Sequence, residues 1–458
     1  MAVGGGPAGL YATMLLKKTH PTWDVRLVEK NPAGATYGWG VVFSDRTLTS
    51  FREADYRTFK QITEDFVLWD AIDVRYRDEV IRCEGQPFSG IVRRHLLRIL
   101  QRRCEEVGVD LSFETEIADD ACDDFDLVLA ADGVRSVVRE AHVEHFRTRR
   151  QEGRARYIWY GTTCAYDSFT FAFRTDEHGL FQAHAYPFDG ITSTFIVECP
   201  EEVWRAAELD RATEVESIAF CEKLFADDLR GHGLMSNNSQ WINFVTLRNR
   251  TWRHGTRVLL GDAAHTAHFS IGSGTKLAME DAIALADAFE AHDVERALSD
   301  YEAERKPRVE RFQEAARRSQ AYFEHTRRYL HLEPLQFAFH LLTRSGRIDY
   351  NSLRVRDARF VGAVDTWFAR RAGAAVSGAS VVAPPPALQP AEIGGLRIAN
   401  RVCVQPPPRY GLAEGVPDGA STEDLARAAA TGPGVVLTDL VAVSSAGRIT
   451  PGCAGLYA

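Results

Sequence analysis

The sequence predicts an α/β chain: a Rossmann-like dinucleotide-binding domain with an inserted antiparallel β-sheet domain and C-terminal helices. Three observations predict it. A Gly-rich turn joins a short apolar strand to a helix at the amino terminus, alternating β-branched and aromatic segments fill residues 155 to 200, and an Arg-rich helical pattern runs from about Thr275 to about residue 345. The corresponding boundaries are 1–150 with 245–300 for a discontinuous nucleotide-binding domain, 151–244 for the antiparallel-sheet domain and 301–371 for the helices. Residues 372–390, rich in Ala, Ser and Pro, read as a linker before a short tail, 391–458.

Met1 to Val3 read as a strand, GGGPAG as a turn, Leu10 to Lys18 as a helix and Asp24 to Glu29 as the next strand, which together open a βαβ unit. Only three residues precede Gly4, so the first strand is short. Asp126 to Ala131 is a second apolar strand running into Asp132-Gly133, and Arg257 to Leu260 a third running into Gly261-Asp262. The inserted sheet is read from Arg156–Tyr160, Thr170–Arg174 and Ser193–Glu198, which alternate with period two. Strand-like segments recur in the tail around Leu396 to Val404 and Gly434 to Leu440.

With 458 residues, 45% hydrophobic and 26% charged, the chain has room for two or three globular domains. Its net charge of -9 supplies no global positive field for nucleic acid or an anionic membrane, so neither is expected as a partner. Eight cysteines are scattered without a CxxC or a His cluster at metal-ligand spacing, which reads as reduced thiols and no metal site. The amino terminus lacks the basic and long apolar stretches of a signal peptide, and no apolar run is long enough to cross a bilayer. A soluble, cytoplasmic protein is expected, its oligomeric state open.

The chemistry starts at Gly4-x-Gly6-x-x-Gly9. The first glycine permits the tight turn, the second lets the backbone approach a pyrophosphate, and the third lets helix and strand pack closely. Pro7 and Ala8 open the helix whose amino end would carry the anion. Glu29, 20 positions after Gly9 and followed by Lys30, stands where a carboxylate accepts hydrogen bonds from a ribose diol. This fingerprint alone does not separate FAD from NAD. Further on, Gly272-Ser273-Gly274 lets the backbone pass close to a flat ring, and Thr275 and Lys276 supply unpaired amide N–H groups at a helix start.

The segments DLVLAADGVRSVVR, with Asp132, Gly133, Ser136 and Arg139, and RVLLGDAAHTAHFSIGSGTKLAMEDA, with Gly261 and Asp262, resemble the DG and GD motifs of flavoprotein aromatic hydroxylases of the para-hydroxybenzoate-hydroxylase-like kind. The resemblance implies a Rossmann-like FAD-binding domain with an inserted antiparallel substrate domain. It places Asp262 at the ribityl or ribose part of FAD and Asp132-Gly133 beside both FAD and a transient nicotinamide. Arg94, in GIVRRHLLRIL, is similar to the arginine that reaches the FAD phosphates in that family, a solvated helix charge being the alternative. The implied FAD contacts are Gly4, Gly6, Pro7, Ala8, Gly9, Glu29, Lys30, Arg94, Asp132, Gly133, Asp262, Gly272, Gly274, Thr275 and Lys276. Two positions depart from the family, which has a proline soon after the GD stretch and an asparagine after the second glycine; this chain has His268-Phe269 and Lys276.

YGWGVVFSD (Tyr37 to Asp45), RYIWYGT (Arg156 to Thr162), FIVECPEE (Phe195 to Glu202), AHFSIGSGT (Ala267 to Thr275) and LLTRSGRIDYNSLRVRD (Leu341 to Asp357) resemble salicylyl-CoA 5-hydroxylases and the hydroxylase half of anthraniloyl-CoA monooxygenases. Several are similar to the tryptophan hydroxylase of violacein synthesis. The implied reaction is reduction of FAD by NADH or NADPH, capture of O₂ as a C4a-hydroperoxide, and transfer of its OH to an aromatic CoA thioester, salicylyl-CoA becoming gentisyl-CoA. Anthraniloyl-CoA and a free aromatic such as tryptophan are alternative substrates, and a non-catalytic FAD-binding scaffold is the alternative of another class.

Polar candidates near the ring are His268, Tyr160, His184 and Tyr186, histidine being the natural acid or base near neutral pH; a buried histidine bonded to backbone is the other reading, and His265 reads as structural. A CoA tail needs cations, and residues 305–359 carry thirteen Lys or Arg against six Asp or Glu. Arg149-Arg150, Arg154 and Arg156 form a second basic run. The tail segments GGLRIANRVCVQPPPRYGLAEGVPDG and GPGVVLTDLVAVSSAGRITPGCAGLY resemble the start of an old-yellow-enzyme barrel. Such a barrel needs roughly 250 residues. The stretch after Pro390 is far shorter, so it is expected to pack on the hydroxylase domain as a remnant without reductase activity.

Overall fold

Ala2–Val3, the two-residue strand ahead of the Gly-rich turn, lies inside a six-stranded sheet. The computed structural model describes residues 1–36, 38–44, 48–272, 274–290, 292–372, 381 and 385–457. Tyr37, Asp45 and Ser273 of the motifs above, and most of the 372–390 linker, lie outside the described residues. The chain divides into two units, Met1–Phe360 and Val361–Ala458.

In the first unit the strand order is Arg253–His254, Arg257–Leu259, Val128–Ala130, Ala2–Val3, Arg26–Val28, Asp110–Ser112. Every pairing is parallel except the hairpin between 253 and 259. Parallel strands deliver their carboxyl ends to one edge, and that edge is where ligands bind in such sheets. Here it collects Gly4 to Gly9, Glu29, Asp132-Gly133 and Gly261-Asp262. The short first strand is sufficient because it pairs on both sides and is covered on both faces, with Ala2 and Val3 buried. Helix Pro7–Thr19 packs against helix Gly274–Phe289 so closely that a Cβ on Gly261, held at φ +54°, would stand 3.0 Å from the Ala8 Cβ and 3.2 Å from that of Ala278.

The second sheet has nine strands and is wider than the 151–244 insert. Arg149–Thr162 carries Leu234–Met235 and Ile242–Arg248 along one side; Ser193–Pro200, Leu180–Pro187 and Phe169–Thr175 follow on the other, and then Val67–Tyr76, Glu79–Val92 and Gly40–Ser44. The last three come from within 1–150. Their hairpin escapes sequence reading because its turn is Arg77-Asp78, both at positive φ, where Asn-Gly or Asp-Gly would be the usual signal.

Period-two alternation gives the sheet two unlike faces. One buries Ile158, Tyr160, Ala183, Ala185, Phe195, Val197 and Cys199 beneath the helices Glu201–Ala206 and Glu214–Leu224. The other gathers Tyr157, Trp159, Phe169, Tyr186 and Ile196 with Val42, Trp69, Phe88 and Phe269. Helix Val294–Glu324, capped by Asp293, then leads to Pro334–Thr343 and Tyr350–Arg356.

Within the second unit, Ala391–Ile393 and Leu396–Ile398 form a hairpin over Gly394-Gly395, both at positive φ. Cys403–Val404 pairs in parallel with Val435–Val436, with helix Gly419–Ala430 between them in sequence, a single βαβ unit.

Candidate functional site

The cofactor edge is shaped by absent atoms. A Cβ on Gly9 would lie 2.1 Å from the Gly4 carbonyl oxygen, and one on Gly4, at φ +107°, 2.4 Å from that of Ala131. Gly6 has nothing within 4 Å of that position, and its side chain-free backbone caps helix Pro7–Thr19. The turn is therefore tight on the protein side and open on the other. Glu29 is already oriented: one carboxylate oxygen accepts from the Gly5 N–H at 2.7 Å, and the other from the Asn31 backbone and side-chain N–H groups at 2.8 and 2.6 Å.

Asp132 accepts from the Val137 N–H at 2.7 Å through one oxygen, and the other is buried without a partner among the described residues. Ser136 caps the following helix, and buried Arg139 reaches across to donate to the Ala263 carbonyl at 2.9 Å, tying the DG turn to the GD turn. Asp262 has protein all around it, yet its side chain meets open space, as on the floor of a cleft. Burial pushes its carboxyl up, opposed by His265 and Arg93. Below the turn, Asp281 accepts from His265 Nε2 at 2.7 Å, the Gly261 N–H at 3.2 Å and Arg305 Nε at 2.9 Å. Burial alone would raise the Asp281 carboxyl; His265 and Arg305 outweigh it and hold it below the usual range. An orphaned Asp132 oxygen, an orphaned Arg93 Nε, and the open side of Gly6 fit a ligand with a diphosphate and several hydroxyl groups.

Beside the cleft, the sheet face carrying Tyr157, Trp159 and Tyr186 meets Phe269 from the GD loop, with Tyr157 4.7 Å and Trp159 6.0 Å from it between ring centroids. Tyr186 stacks on Phe169 at 5.5 Å and donates to the Gly40 carbonyl at 3.3 Å. The buried indole N–H groups of Trp69 and Trp159 have no partner among the described residues. This face of the sheet is thus aromatic, with buried indole donors that lack acceptors among the described residues.

A directed hydrogen-bond chain ends at His268. Arg344 Nε donates to Ser319 Oγ at 2.8 Å, which leaves the Ser319 hydroxyl to donate to Ser270 Oγ at 2.7 Å and the Ser270 hydroxyl to His268 Nδ1 at 2.8 Å. The Ser270 backbone N–H points at the same nitrogen from 3.3 Å. Nδ1 is therefore an acceptor, and the ring proton sits on Nε2. Burial and Arg344 push His268 down to about 3, so it is neutral and a donor at physiological pH. Deeper in, His184 Nε2 lies 3.1 Å from Glu198, both fully buried. Burial lowers His184 well below its usual value and raises Glu198 to about 8, so Glu198 holds a proton at neutral pH and donates it to His184.

The structure brings His184, Tyr186 and His268 to the aromatic face of the sheet but not Tyr160. Tyr160 is fully buried on the opposite face and its hydroxyl lies 3.0 Å from Ser217 Oγ. Tyr157 and Trp159, one residue off in parity, take the aromatic face. Arg94 is exposed, whereas Arg93 turns inward toward Asp262 and Tyr186. The register of Arg93 with the buried Leu96, Leu97 and Leu100 is the signal that separates them. Lys30 is exposed, Gly272 and Gly274 line open space, and Lys276 pairs with Glu280 at 3.4 Å. The 305–359 region is a poorer anion surface than its charge implies. Arg305 is buried, Arg344 is half-buried with its guanidinium turned inward, and Lys306, Arg308, Arg317 and Arg318 pair with Glu310, Glu304 and Glu314.

A carboxyl edge of a parallel sheet shaped for a dinucleotide, beside an aromatic cluster on a second sheet, fits a cofactor-dependent enzyme. A family model for an FAD binding domain matches residues 120–316. A salicyloyl-CoA 5-hydroxylase from Streptomyces sp is 44% identical over 80% of this chain and 73% of its own length. A 3-hydroxy-4-methyl-anthranilyl-[aryl-carrier protein] 5-monooxygenase from Streptosporangium sibiricum is 36% identical over 76% of this chain and 95% of its own. The structure of 2-methyl-3-hydroxypyridine-5-carboxylic acid oxygenase superposes with a TM-score of 0.59 at 20% identity, covering 78% and 95% of the two chains. The chain belongs to the flavoprotein aromatic hydroxylases, FAD-dependent monooxygenases that use NADH or NADPH and O₂. Among the described residues, no helix is long and apolar enough to cross a membrane.

Proposed function

We propose that the protein hydroxylates the ring of an aromatic CoA thioester bearing an ortho OH or NH₂ group, salicylyl-CoA before others, at the carbon para to that group. The observation that carries this reading is the aromatic cluster beside the GD loop, with Phe269 against Tyr157 and Trp159; in this reading it walls the substrate chamber. Two relatives name 5-hydroxylation of aryl thioesters with an ortho OH or NH₂, and position 5 is para to position 2. The carrier-protein thioester of the second relative is the competing acyl carrier.

FAD, when bound, supplies the redox chemistry that activates O₂. In this reading Gly4 to Gly9 hold its diphosphate, Glu29 and Asp262 its hydroxyl groups, Arg93 rather than Arg94 a phosphate or ribityl oxygen, and the N–H groups of Thr275 and Lys276 the ring edge. The chamber walls hold the substrate ring in one plane and exclude water. His268 Nε2–H and the free indole N–H groups donate to substrate oxygen, so His268 orients and polarises rather than removes a proton. Eight unpaired cysteines accord with a cytoplasmic location.

The test is product analysis by mass spectrometry after incubation with NADH or NADPH, O₂ and, in turn, salicylyl-CoA, anthraniloyl-CoA, free salicylate and tryptophan. A 5-hydroxylated thioester is expected. Equal turnover of free salicylate would remove the thioester from the proposal, and turnover of tryptophan alone would move the protein to the violacein-type reading.

A further inference from the structure

The basic run at Arg149 becomes a larger feature in the fold. Strand Ile242–Arg248 lies antiparallel to Arg149–Thr162 with Arg248 directly opposite Arg149. The pair continues past its last ladder rung: the Arg250 N–H donates to the Phe146 carbonyl at 2.8 Å, and Thr148 Oγ1 donates to Asn249 Oδ1 at 2.6 Å. Arg147 and Arg250 therefore flank the same end. All four arginines are exposed, and among the described residues none has a carboxylate partner. Arg150, the neighbour on the same strand, is already paired with Glu140.

Like charges directly opposite on antiparallel strands cost stability. Four guanidinium groups left uncompensated in a chain of net charge -9 make a local positive field that a polyanion would relieve. The location is specific as well. The Leu247 N–H donates to Thr266 Oγ1 at 2.7 Å, and Asn249 Nδ2 donates to the Ala264 carbonyl at 2.6 Å, so this strand end is bonded directly to the GD loop.

We propose that the Arg147, Arg149, Arg248 and Arg250 cluster binds the phosphates of an adenosine nucleotide brought to the cofactor edge. Two substrates of the reaction carry that chemistry, the reduced nicotinamide dinucleotide and the CoA thioester; only the second rests on the thioester reading above. Planar guanidinium forks match phosphate oxygens bidentately, and paired strands hold them at fixed spacing.

Full-length, FAD-loaded protein is titrated calorimetrically at low ionic strength with adenosine 2′,5′-bisphosphate, adenosine 3′,5′-bisphosphate and ADP, alongside the double variant Arg149→Ser, Arg248→Ser and the corresponding double Lys variant. At least one nucleotide should bind the wild type. The Ser pair should weaken that binding tenfold or more with flavin content unchanged, and the Lys pair should recover part of it. Preference for the 2′,5′-bisphosphate assigns the reductant, preference for the 3′,5′-bisphosphate the thioester tail, and equal binding of all three the shared 5′-phosphate end. Binding of none, or equal binding by wild type and the Ser pair, overturns the proposal. If salicylyl-CoA fails as a substrate, the thioester reading falls while this titration keeps its meaning.

Discussion

At the Gly-rich turn the decisive dimension is a missing atom, for a Cβ on Gly9 would lie 2.1 Å from a backbone carbonyl. On the aromatic face the decisive groups are side chains, and the chain of bonds that holds them runs between separate elements: Arg344 reaches Ser319 and Ser270, and His184 meets Glu198 across two strands. The cofactor half is thus specified by local backbone geometry, and the substrate half by non-local pairing. The first should fail abruptly on a single methyl group, the second by degrees.

Gly9→Ala is the strongest test of that contrast. The clash is with backbone, which cannot rotate away, so the variant should lose about 3 kcal/mol or more and most of its flavin. Flavin absorbance per protein and thermal unfolding measure both. Asp262→Ala leaves the turn itself intact and should lower flavin occupancy with a much smaller change in Tm. Undiminished flavin in Gly9→Ala would show that the turn is not the cofactor's seat.

Arg344→Gln attacks the other half. Arg344 makes three hydrogen bonds, to Ser319 Oγ, the Leu341 carbonyl and the Ser270 carbonyl, each at 2.8 Å. Removing a half-buried cation that makes three hydrogen bonds should cost on the order of 3 kcal/mol. Flavin should nevertheless stay bound, because no cofactor contact is lost. Loss of flavin in proportion to loss of stability would erase the distinction between the two halves.

These contrasts also explain what could be read from the sequence. Gly4, Gly6, Gly9, Asp132 and Asp262 are legible because each motif is short and its chemistry is satisfied within a few residues. The hairpin of Val67–Tyr76 and Glu79–Val92 is not, since Arg77-Asp78 replaces the usual turn residues. Arg344 and Glu198 stand as ordinary charged residues until the fold turns them inward. The family resemblance points to Arg94, whereas the spacing to the buried Leu96 and Leu100 favours Arg93. In Arg156–Thr162, aromatic residues occupy both parities, so alternation alone cannot say which face is the chamber.

Glu198 offers a quieter measurement. Its carboxyl is raised to about 8 by burial, with Glu324 adding and Arg344 opposing, against about 4.3 in an unfolded chain. Between these values the Glu198 carboxyl binds more protons in the native protein than in the unfolded chain, so its contribution to stability is fully present at lower pH and declines as pH rises through this window, by up to about 1.4 kcal/mol per unit. In Glu198→Gln that component should be missing, so urea midpoints taken between about pH 5.5 and 7.5 should fall less, or rise more, with pH than those of the wild type. An unchanged slope would mean another group titrates there.

The smallest expected effect settles the parity of the inserted sheet. Tyr160 is buried in one cluster with Phe181, Phe195 and Phe225, and among the described residues its hydroxyl meets only Ser217 Oγ, which also accepts from Trp241 Nε1 at 2.8 Å. Tyr160→Phe therefore removes one hydrogen bond and should cost about 1 kcal/mol, with kcat and KM for the aromatic substrate unchanged. Tyr157, three positions earlier on the strand, faces Phe269 from 4.7 Å. Tyr157→Ala should open the chamber wall, raise KM and let reduced flavin consume O₂ without forming product, measured as peroxide released per NAD(P)H oxidised. If Tyr160→Phe impaired coupling while Tyr157→Ala left it intact, the chamber would lie on the other face of the sheet, and Phe269 would have to be reassigned with it.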